Sequence, residues 1–197
     1  MAYDLSVIVP TYNKADQLAN NILSWQNQTF QHDRFEVIVV DDGSNDDTRN
    51  VINEARRHID YRLRCFYLNR PERSTAALPW NYGIKRADAD VIVQAGADII
   101  AAKDVLELLH MYIIDCDGNT QVFSRCYNVH SPLAQALLEH TPWLEDIHSL
   151  ESILVSEYHH SAYWTVPMLA ALPKECFERL GGYDESFEGR YPDDSWF

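Results

Sequence analysis

The chain has 197 residues, a formal net charge of −14 at pH 7 and 46% hydrophobic residues. This length suits one domain, or one domain with a short extension, and the hydrophobic fraction suffices for a packed core. The acidic balance argues against non-specific binding to nucleic acid. No apolar run approaches the roughly 18 residues of a membrane span.

The cysteines point to a reducing compartment. Cys65, Cys116, Cys126 and Cys176 are far apart and form no CxxC pair, which predicts reduced thiols in a cytoplasmic protein. The first residues lack the basic region and shape of a signal peptide. Peripheral attachment to a membrane through parts outside this chain stays open.

The first elements are a strand and a helix. Residues 5–13, reading LSVIVPTYN, form an apolar strand that ends in a turn. A helix is predicted over residues 14–26, because its apolar side chains recur on one face, with Asn13 as a plausible N-cap.

The second strand ends in two acids. Residues 35–48 read FEVIVVDDGSNDDT, which is typical of a buried parallel strand that delivers Asp41 and Asp42 to a sheet edge where ligands bind. These acids would also suit the N-terminus of the next helix. Because Ser44 already opens that helix, with Asp47 completing a capping box, we favour a ligand role for Asp42.

The alternation of strands and helices continues. Strands are predicted over residues 63–68, 91–94 and 121–126, and helices over residues 78–87 and 104–114. This pattern predicts an α/β fold with a mainly parallel central sheet and helices on both faces. From residue 127 the pattern loosens, which indicates a less regular layer over the sheet edge.

Asp98 follows the fourth strand, in the stretch QAGADII. A strand-end carboxylate beside a diphosphate is a natural ligand for Mg²⁺ or Mn²⁺, although a solvent-exposed turn is the alternative. Bases at Arg70, Arg73, Lys85 and Arg86 are equally compatible with phosphate binding and with a solvated helix face.

The C-terminal stretch contains a second acidic pair. A short helix over residues 173–180 is ended by Gly181-Gly182, and Asp193-Asp194 follow an acidic, aromatic loop. Adjacent carboxylates repel, which favours one as a general base; the alternative is that they open a helix. His140, His148, His159 and His160 lack metal-ligand spacing, and Trp143, Trp164 and Trp196 suit core packing or sugar stacking.

Four stretches together resemble the inverting family-2 glycosyltransferases of the GT-A fold. They are SVIVPTYN, VIVVDDGSNDDT, NYGIKRADADVIVQAGAD, and LGGYDESF followed by Asp193-Asp194. They occur in the expected order and span nearly the whole chain. The resemblance implies a nucleotide-diphosphate sugar donor, with a UDP-sugar as the first candidate, a hydroxyl acceptor such as a glycan, and a role in polysaccharide biosynthesis.

The resemblance also implies roles for single residues. Pro10 and Tyr12 would line the uracil pocket, with Thr11 and Asp41 in the same donor site, and Asp42 would contact the base. Asp98 would bind Mg²⁺ or Mn²⁺, and Arg73 or Lys85 the diphosphate. Asp194 would be the general base, with Asp193 in the place of a glutamate that contacts acceptor or donor sugar. Residues 1–126 would form the donor half, and residues 127–197 the acceptor side of the same domain.

Two features depart from the family pattern. Gly96 stands where the first acid of the metal-binding DxD motif is expected, and the chain stops three residues past Asp194. We therefore expect a fragment, or the N-terminal domain, of a longer protein.

Two other functions stay open. The incomplete motif and the early stop make a non-catalytic sugar-nucleotide or glycan-binding domain the second hypothesis, behind the glycosyltransferase. A nucleotidyltransferase should show a glycine-rich, basic phosphate loop after its first strand, and PTYNKAD contains no glycine.

Overall fold

A computed structural model of the chain describes residues 3–69, 76–116, 120–124 and 169–186. Within them, six strands form one sheet in the order β3-β2-β1-β4-β6-β5. The strands are β1 Leu5–Thr11, β2 Phe35–Asp41, β3 Arg62–Tyr67, β4 Val91–Ala95, β5 Val122–Phe123 and β6 Leu169–Pro173.

Four neighbouring strands are parallel, and one is inserted in the opposite direction. β1 pairs with β2 from Leu5↔Phe35 to Thr11↔Asp41, while β3 and β4 extend the parallel sheet on either side. β6 runs antiparallel to both β4 and β5. The prediction of a mainly parallel sheet is therefore confirmed.

Helices cover both faces of the sheet, as predicted. They are α1 Ala15–Gln26, α2 Thr48–Ala55, α3 Ala77–Ile84, α4 Val105–Ile114 and α5 Lys174–Arg179. Alternate residues of the strands pack into two hydrophobic cores, one on each face of the sheet. On one face, Val7, Val39 and Val93 pack with α1, α2 and α4. Ile8 and Ile38 pack with α3 and α5 on the other. In the described ranges, none of these helices is both long and apolar enough to cross a membrane.

Two predicted elements differ in extent, and one strand was not predicted. The strand expected over residues 121–126 is two residues long within the described part, and the helix expected over residues 78–87 ends at Ile84. β6 lies within the half that we expected to be less regular, so it was not predicted. Its LAALP sequence is short and follows no clear turn signal.

The helix caps predicted after β1 and β2 are both wrong. Asn13 has φ 51°, a conformation that Asn tolerates, so it forms the turn before α1 and does not cap it. α2 begins at Thr48 rather than at Ser44, which rules out the capping box. By contrast, Gly181 and Gly182 have φ 85° and 79° and end α5 as predicted.

Candidate functional site

The ends of β1 and β2 place three predicted donor-site residues side by side. Thr11 and Asp41 are register partners, and the backbone N–H of Asp42 donates to the Thr11 carbonyl oxygen at 2.9 Å. Thr11, Asp41 and Asp42 are all buried, with Asp42 only 6% exposed. Pro10 and Tyr12 flank Thr11 and are partly exposed. The C-terminal strand edge is where open α/β sheets bind ligands.

Asp41 combines a structural contact with an unused oxygen atom. Its Oδ1 accepts a hydrogen bond from the Ser44 backbone N–H at 2.8 Å, which shapes the turn after β2. Its Oδ2 and the Thr11 hydroxyl are buried without a hydrogen-bond partner in the described structure. Because buried polar atoms are rarely left unpaired, these two atoms indicate a place for a polar ligand or water.

The loops after β1 and β2 are joined by hydrogen bonds. Asn13 N–H donates to Ser44 Oγ at 2.9 Å, and Asn45 N–H donates to Asn13 Oδ1 at 2.9 Å. Asp46 Oδ2 accepts from the N–H of Ala15, the first residue of α1, at 3.0 Å. The cap that we assigned to Asn13 is thus supplied by a distant loop.

Asp46 also holds the start of α2. Its Oδ1 accepts from the Thr48 hydroxyl at 2.5 Å and from the Thr48 N–H at 3.1 Å. Desolvation raises the pKa of Asp46, but the hydrogen bonds from Thr48 and Ala15 together hold that pKa below its ordinary value. Asp46 is therefore explained by its hydrogen bonds to the first residues of α1 and α2, a role that suits an acid near a helix start.

The loop after β4 brings Asp98 to the same edge. Because β4 is the parallel neighbour of β1, this loop lies beside the turn after β1. The buried Asn21 of α1 fixes the loop, donating through Nδ2 to the carbonyl oxygens of Gly96 at 3.1 Å and Ile99 at 2.8 Å. A Cβ atom at Gly96 would lie 2.9 Å from Asp98 Oδ1, so glycine gives the carboxylate room. Asn21 lies within an otherwise ordinary helix pattern, so no signal in the sequence marks it as a residue of the site.

Asp98 is paired with a lysine. Lys14 Nζ lies 2.5 Å from Asp98 Oδ2, and the two side chains are 41% and 36% exposed. The pair links the turn after β1 to the loop after β4. A positive group thus already lies at the carboxylate that the sequence analysis assigned to a metal ion.

The described residues around Asp98 would supply a divalent cation with few protein ligands. No group of three His, Cys, Asp or Glu side chains suited to a metal occurs in the described ranges. Mg²⁺ is often bound by one or two carboxylates together with substrate phosphates. Asp98 therefore fits as the single protein ligand of an ion that a diphosphate also holds.

Lys85 does not join this edge. It follows α3, and the neighbouring Arg86 carbonyl oxygen accepts from Arg64 at 2.8 Å while Asp88 N–H donates to Glu36 at 2.8 Å. Glu36 is near the start of β2, so Lys85 lies toward the amino ends of the strands. Arg70, Arg73, Asp193 and Asp194 lie outside the described residues, as do the four histidines and three tryptophans considered above.

The thiol of Cys65 is not an activated nucleophile. Burial raises its pKa to about 11, so it is protonated at neutral pH. Within the described residues, Cys65, Cys116 and Cys176 form no disulfide.

Solved structures share this fold. A mannosyltransferase from Pyrobaculum calidifontis, determined with GDP-Man and Mn²⁺, aligns with a TM-score of 0.66 at 23% identity, covering 94% of this chain and 49% of that one. S. aureus TarS residues 1–349 in complex with UDP align with a TM-score of 0.66 at 21% identity, covering 94% and 52% of the two chains. The fold is thus the GT-A fold of glycosyltransferases.

Curated sequences agree with the structural comparison. A validoxylamine A glucosyltransferase from Streptomyces hygroscopicus subsp. jinggangensis is 29% identical over 94% of this chain and 48% of its own length. The putative teichuronic acid biosynthesis glycosyltransferase TuaG of Bacillus subtilis is 32% identical over 76% of this chain and 54% of its own length. The chain spans about half the length of these relatives. The family model described as glycosyl transferase family 2 matches residues 6–163, so the chain belongs to that family.

Proposed function

We propose that the chain binds a nucleotide-diphosphate sugar, with UDP-sugars as the first candidates, and transfers the sugar to an acceptor hydroxyl with inversion of configuration. The observation that carries this proposal is the strand edge, where Asp41 and Asp42 follow β2 and Asp98 follows β4, the two parallel neighbours of β1. The unpaired oxygen of Asp41 adds a buried acceptor there. The TarS structures with UDP and with UDP-GlcNAc support this choice of donor.

The donor would lie across the ends of β1, β2 and β4. In this proposal Asp42 accepts a hydrogen bond from the base, while Pro10 and Tyr12 contact the base from the turn after β1. Thr11 and Asp41 form the polar floor of the pocket. Lys14, which the sequence analysis did not assign, is near enough to Asp98 to meet a diphosphate bound beside that carboxylate.

The transfer needs one proton acceptor and a stabilised leaving group. The acceptor oxygen forms its bond to the anomeric carbon as the bond to the diphosphate breaks, and Asp194 takes the acceptor proton on the opposite face. A carboxylate of ordinary basicity suffices, because the hydroxyl becomes acidic as the new bond forms. Lys14 and Arg73 would offset the charge of the departing diphosphate. A divalent cation on Asp98 would add Lewis-acid stabilisation there.

A binding domain without catalysis is the second candidate. Its specific support is the edge at Asp98, where Gly96 replaces an acid of the family motif and Lys14 neutralises the remaining carboxylate. Such a domain would bind the nucleotide and leave the sugar attached. Release of UDP from a donor by the chain distinguishes the two candidates.

Titration calorimetry with UDP, GDP and dTDP, each with and without Mn²⁺, tests the donor site. We expect UDP to bind, and Asp42→Ala to weaken its binding about 10- to 100-fold, because a hydrogen bond to a charged group contributes roughly 1.5–3 kcal/mol. Asp47→Ala removes an exposed acid from the same loop and should leave the affinity unchanged. If a folded wild-type chain binds none of the nucleotides, the donor site is refuted.

Replacing Lys14 with methionine tests the competition at Asp98. We expect Mn²⁺ to bind the nucleotide-free chain about two- to fivefold more tightly in Lys14→Met, since an exposed ion pair contributes roughly 0.2–1 kcal/mol. The signal of unbound Mn²⁺ in electron paramagnetic resonance measures this affinity directly. Lys103→Met removes the same charge from an exposed position and serves as the control. Equal Mn²⁺ affinity in the Lys14 variant and the wild type would show that Lys14 does not compete.

A further inference from the structure

The turn formed by residues 181–186, the GGYDES turn, is bound to α3 by one buried side chain. Asn81 Nδ2 donates to the Tyr183 carbonyl oxygen at 2.8 Å and to Glu185 Oε1 at 2.7 Å. The Tyr183 N–H donates back to Asn81 Oδ1 at 2.9 Å. Asn81 is only 4% exposed. Three hydrogen bonds of its side-chain amide go to a segment that lies about 100 residues further along the chain.

The same turn is also bound to β4. Gln94 Nε2 donates to the Tyr183 hydroxyl at 2.5 Å, and Gln94 is 3% exposed. The Tyr183 ring packs edge-on against Phe177 of α5, with the ring centroids 5.4 Å apart. Two buried amides from different elements therefore fix both the backbone and the side chain of Tyr183.

Glycine at position 182 permits this close approach. A Cβ atom there would lie 2.9 Å from Asn81 Oδ1 and 3.2 Å from the Phe177 ring. Gly181 has a similar positive φ, 85° against 79°, but a Cβ atom at Gly181 would meet nothing within 4 Å. The two glycines thus carry similar backbone requirements, and only Gly182 is confined by Asn81.

The position of the turn links it to the chemistry of the strand edge. Gln94 is the fourth residue of β4 and pairs with Ile8 of β1, and the loop that follows β4 carries Asp98. In the other direction, seven residues lead from Ser186 to Asp193, a span of at most roughly 25 Å. The turn is the last described segment before the acids that we propose for catalysis.

We infer that Asn81 is a positioning residue, which seats the GGYDES turn on α3 and β4 and thereby fixes the point from which the chain continues to the acids that we propose for catalysis. The inference rests on the proposed function. Its physical basis is that a misplacement of about 1 Å in a catalytic group can lower a rate about 100-fold. Asn81 contacts the turn and acts on the reaction only through it.

The experiment compares Asn81→Ala and Gly182→Ala with two matched controls. Gly181→Ala introduces the same strained backbone without the contact to Asn81, and Asn50→Ala removes an exposed helical asparagine. Three quantities are measured for each variant: amide hydrogen exchange over residues 181–186, the Kd for UDP, and UDP release from UDP-GlcNAc and UDP-glucose with water as acceptor.

We expect exchange at the Tyr183 amide to rise about tenfold or more in both test variants, because each net hydrogen bond shifts an equilibrium by about two- to tenfold. UDP release should fall about 10- to 100-fold, while the Kd for UDP and the exchange of β1 stay within twofold of the wild type. The controls should behave like the wild type in UDP release.

A charge-matched pair adds a rescue. Asn81→Asp removes both donated hydrogen bonds and places a carboxylate against Glu185, so UDP release should fall as in Asn81→Ala. Adding Glu185→Gln restores a hydrogen-bond donor and acceptor between these two side chains. We expect the double variant to recover at least about a third of the decrease in the logarithm of the UDP release rate.

Three results overturn the inference. The first is amide exchange in the 181–186 turn of Asn81→Ala that stays at the wild-type rate. The second is faster exchange of that turn with unchanged UDP release. The third is joint loss of the UDP affinity and of β1 protection, which would show a general structural role. A wild-type chain that neither binds UDP nor releases it from a donor refutes the proposed function itself, and this failure is recognised before any variant is compared.

Discussion

Replacing Glu36 with alanine is expected to lower the free energy of unfolding by about 3–5 kcal/mol, the range seen when one partner of a buried charge pair is removed. Glu36 is fully buried in β2. Its Oε1 accepts from the Ser6 hydroxyl and from the Asp88 N–H, both at 2.8 Å, and its Oε2 lies 3.1 Å from Arg64. Alanine would leave these three donors without their acceptor and open a cavity.

The Glu36 network joins the amino ends of the central strands. Ser6 of β1 also accepts from the Ala89 N–H at 3.1 Å, so the network reaches the connection between α3 and β4. Because Asp42 and Thr11 lie at the other end of the same strands, a loss of this network should destabilise the sheet without touching the proposed donor pocket. Nucleotide affinity of the remaining folded protein should therefore be unchanged.

Urea unfolding followed by circular dichroism measures the effect of Glu36. Glu36→Gln keeps an acceptor for Ser6 or Asp88 but loses the charge that faces Arg64, and we expect a smaller loss of about 1–3 kcal/mol. Glu54→Ala removes an exposed acid whose pair with Arg57 lies on the surface, and should change stability by less than about 1 kcal/mol. If Glu36→Ala proves as stable as Glu54→Ala, the network does not stabilise the fold.

Local sequence pattern was sufficient for the parallel part of the fold. The apolar runs that end in Thr11 and Asp41 are buried on both faces, and such runs identify central strands of a parallel sheet. The apolar periodicity of α1 likewise identified a helix that packs on one face. The buried network of Glu36, in the second run, could not be predicted from local sequence. Its hydrogen-bond partners come from β1, β3 and the connection before β4.

Contacts between distant segments explain the errors. Asparagine is a residue type that often caps helices, so Asn13 was predicted to cap α1. The N–H of Ala15 instead donates to Asp46, which is 31 residues away along the chain. β6 pairs antiparallel with β4, and a short LAALP stretch contains no information about that partner. Such pairings are decided by tertiary packing and not by local propensity.

The candidate site also combines features that the sequence predicts with contacts that it does not reveal. The meeting of Thr11, Asp41 and Asp42 follows from strand ends and parallel order, and was predictable. The contacts of Lys14 with Asp98 and of Asn81 with Tyr183 join residues 84 and 102 positions apart, and no spacing in the sequence reveals them. Lys85 was assigned to phosphate from charge alone, and the direction of α3 carries it toward the opposite edge of the sheet.

Replacing Asp194 with asparagine is expected to reduce sugar transfer most strongly. Asparagine has nearly the same shape as aspartate but cannot accept the acceptor proton, and loss of a general base lowers a rate about 10²- to 10⁴-fold. The Kd for UDP should stay within twofold, because the donor pocket that we propose is built from β1, β2 and β4. UDP release from UDP-GlcNAc or UDP-glucose, measured across pH, follows the reaction.

Asp193→Asn is the matched control for this experiment, since it removes an identical charge one residue away. We expect a smaller loss than in Asp194→Asn, because Asp193 is proposed to contact a sugar and not to accept the proton. The general base should also give the wild-type rate a pH dependence that Asp194→Asn lacks. A larger loss in Asp193→Asn would exchange the two roles, whereas wild-type rates in both variants would remove this acidic pair from the mechanism. Unchanged UDP affinity in that last case would leave the donor site intact and require a different group as the general base.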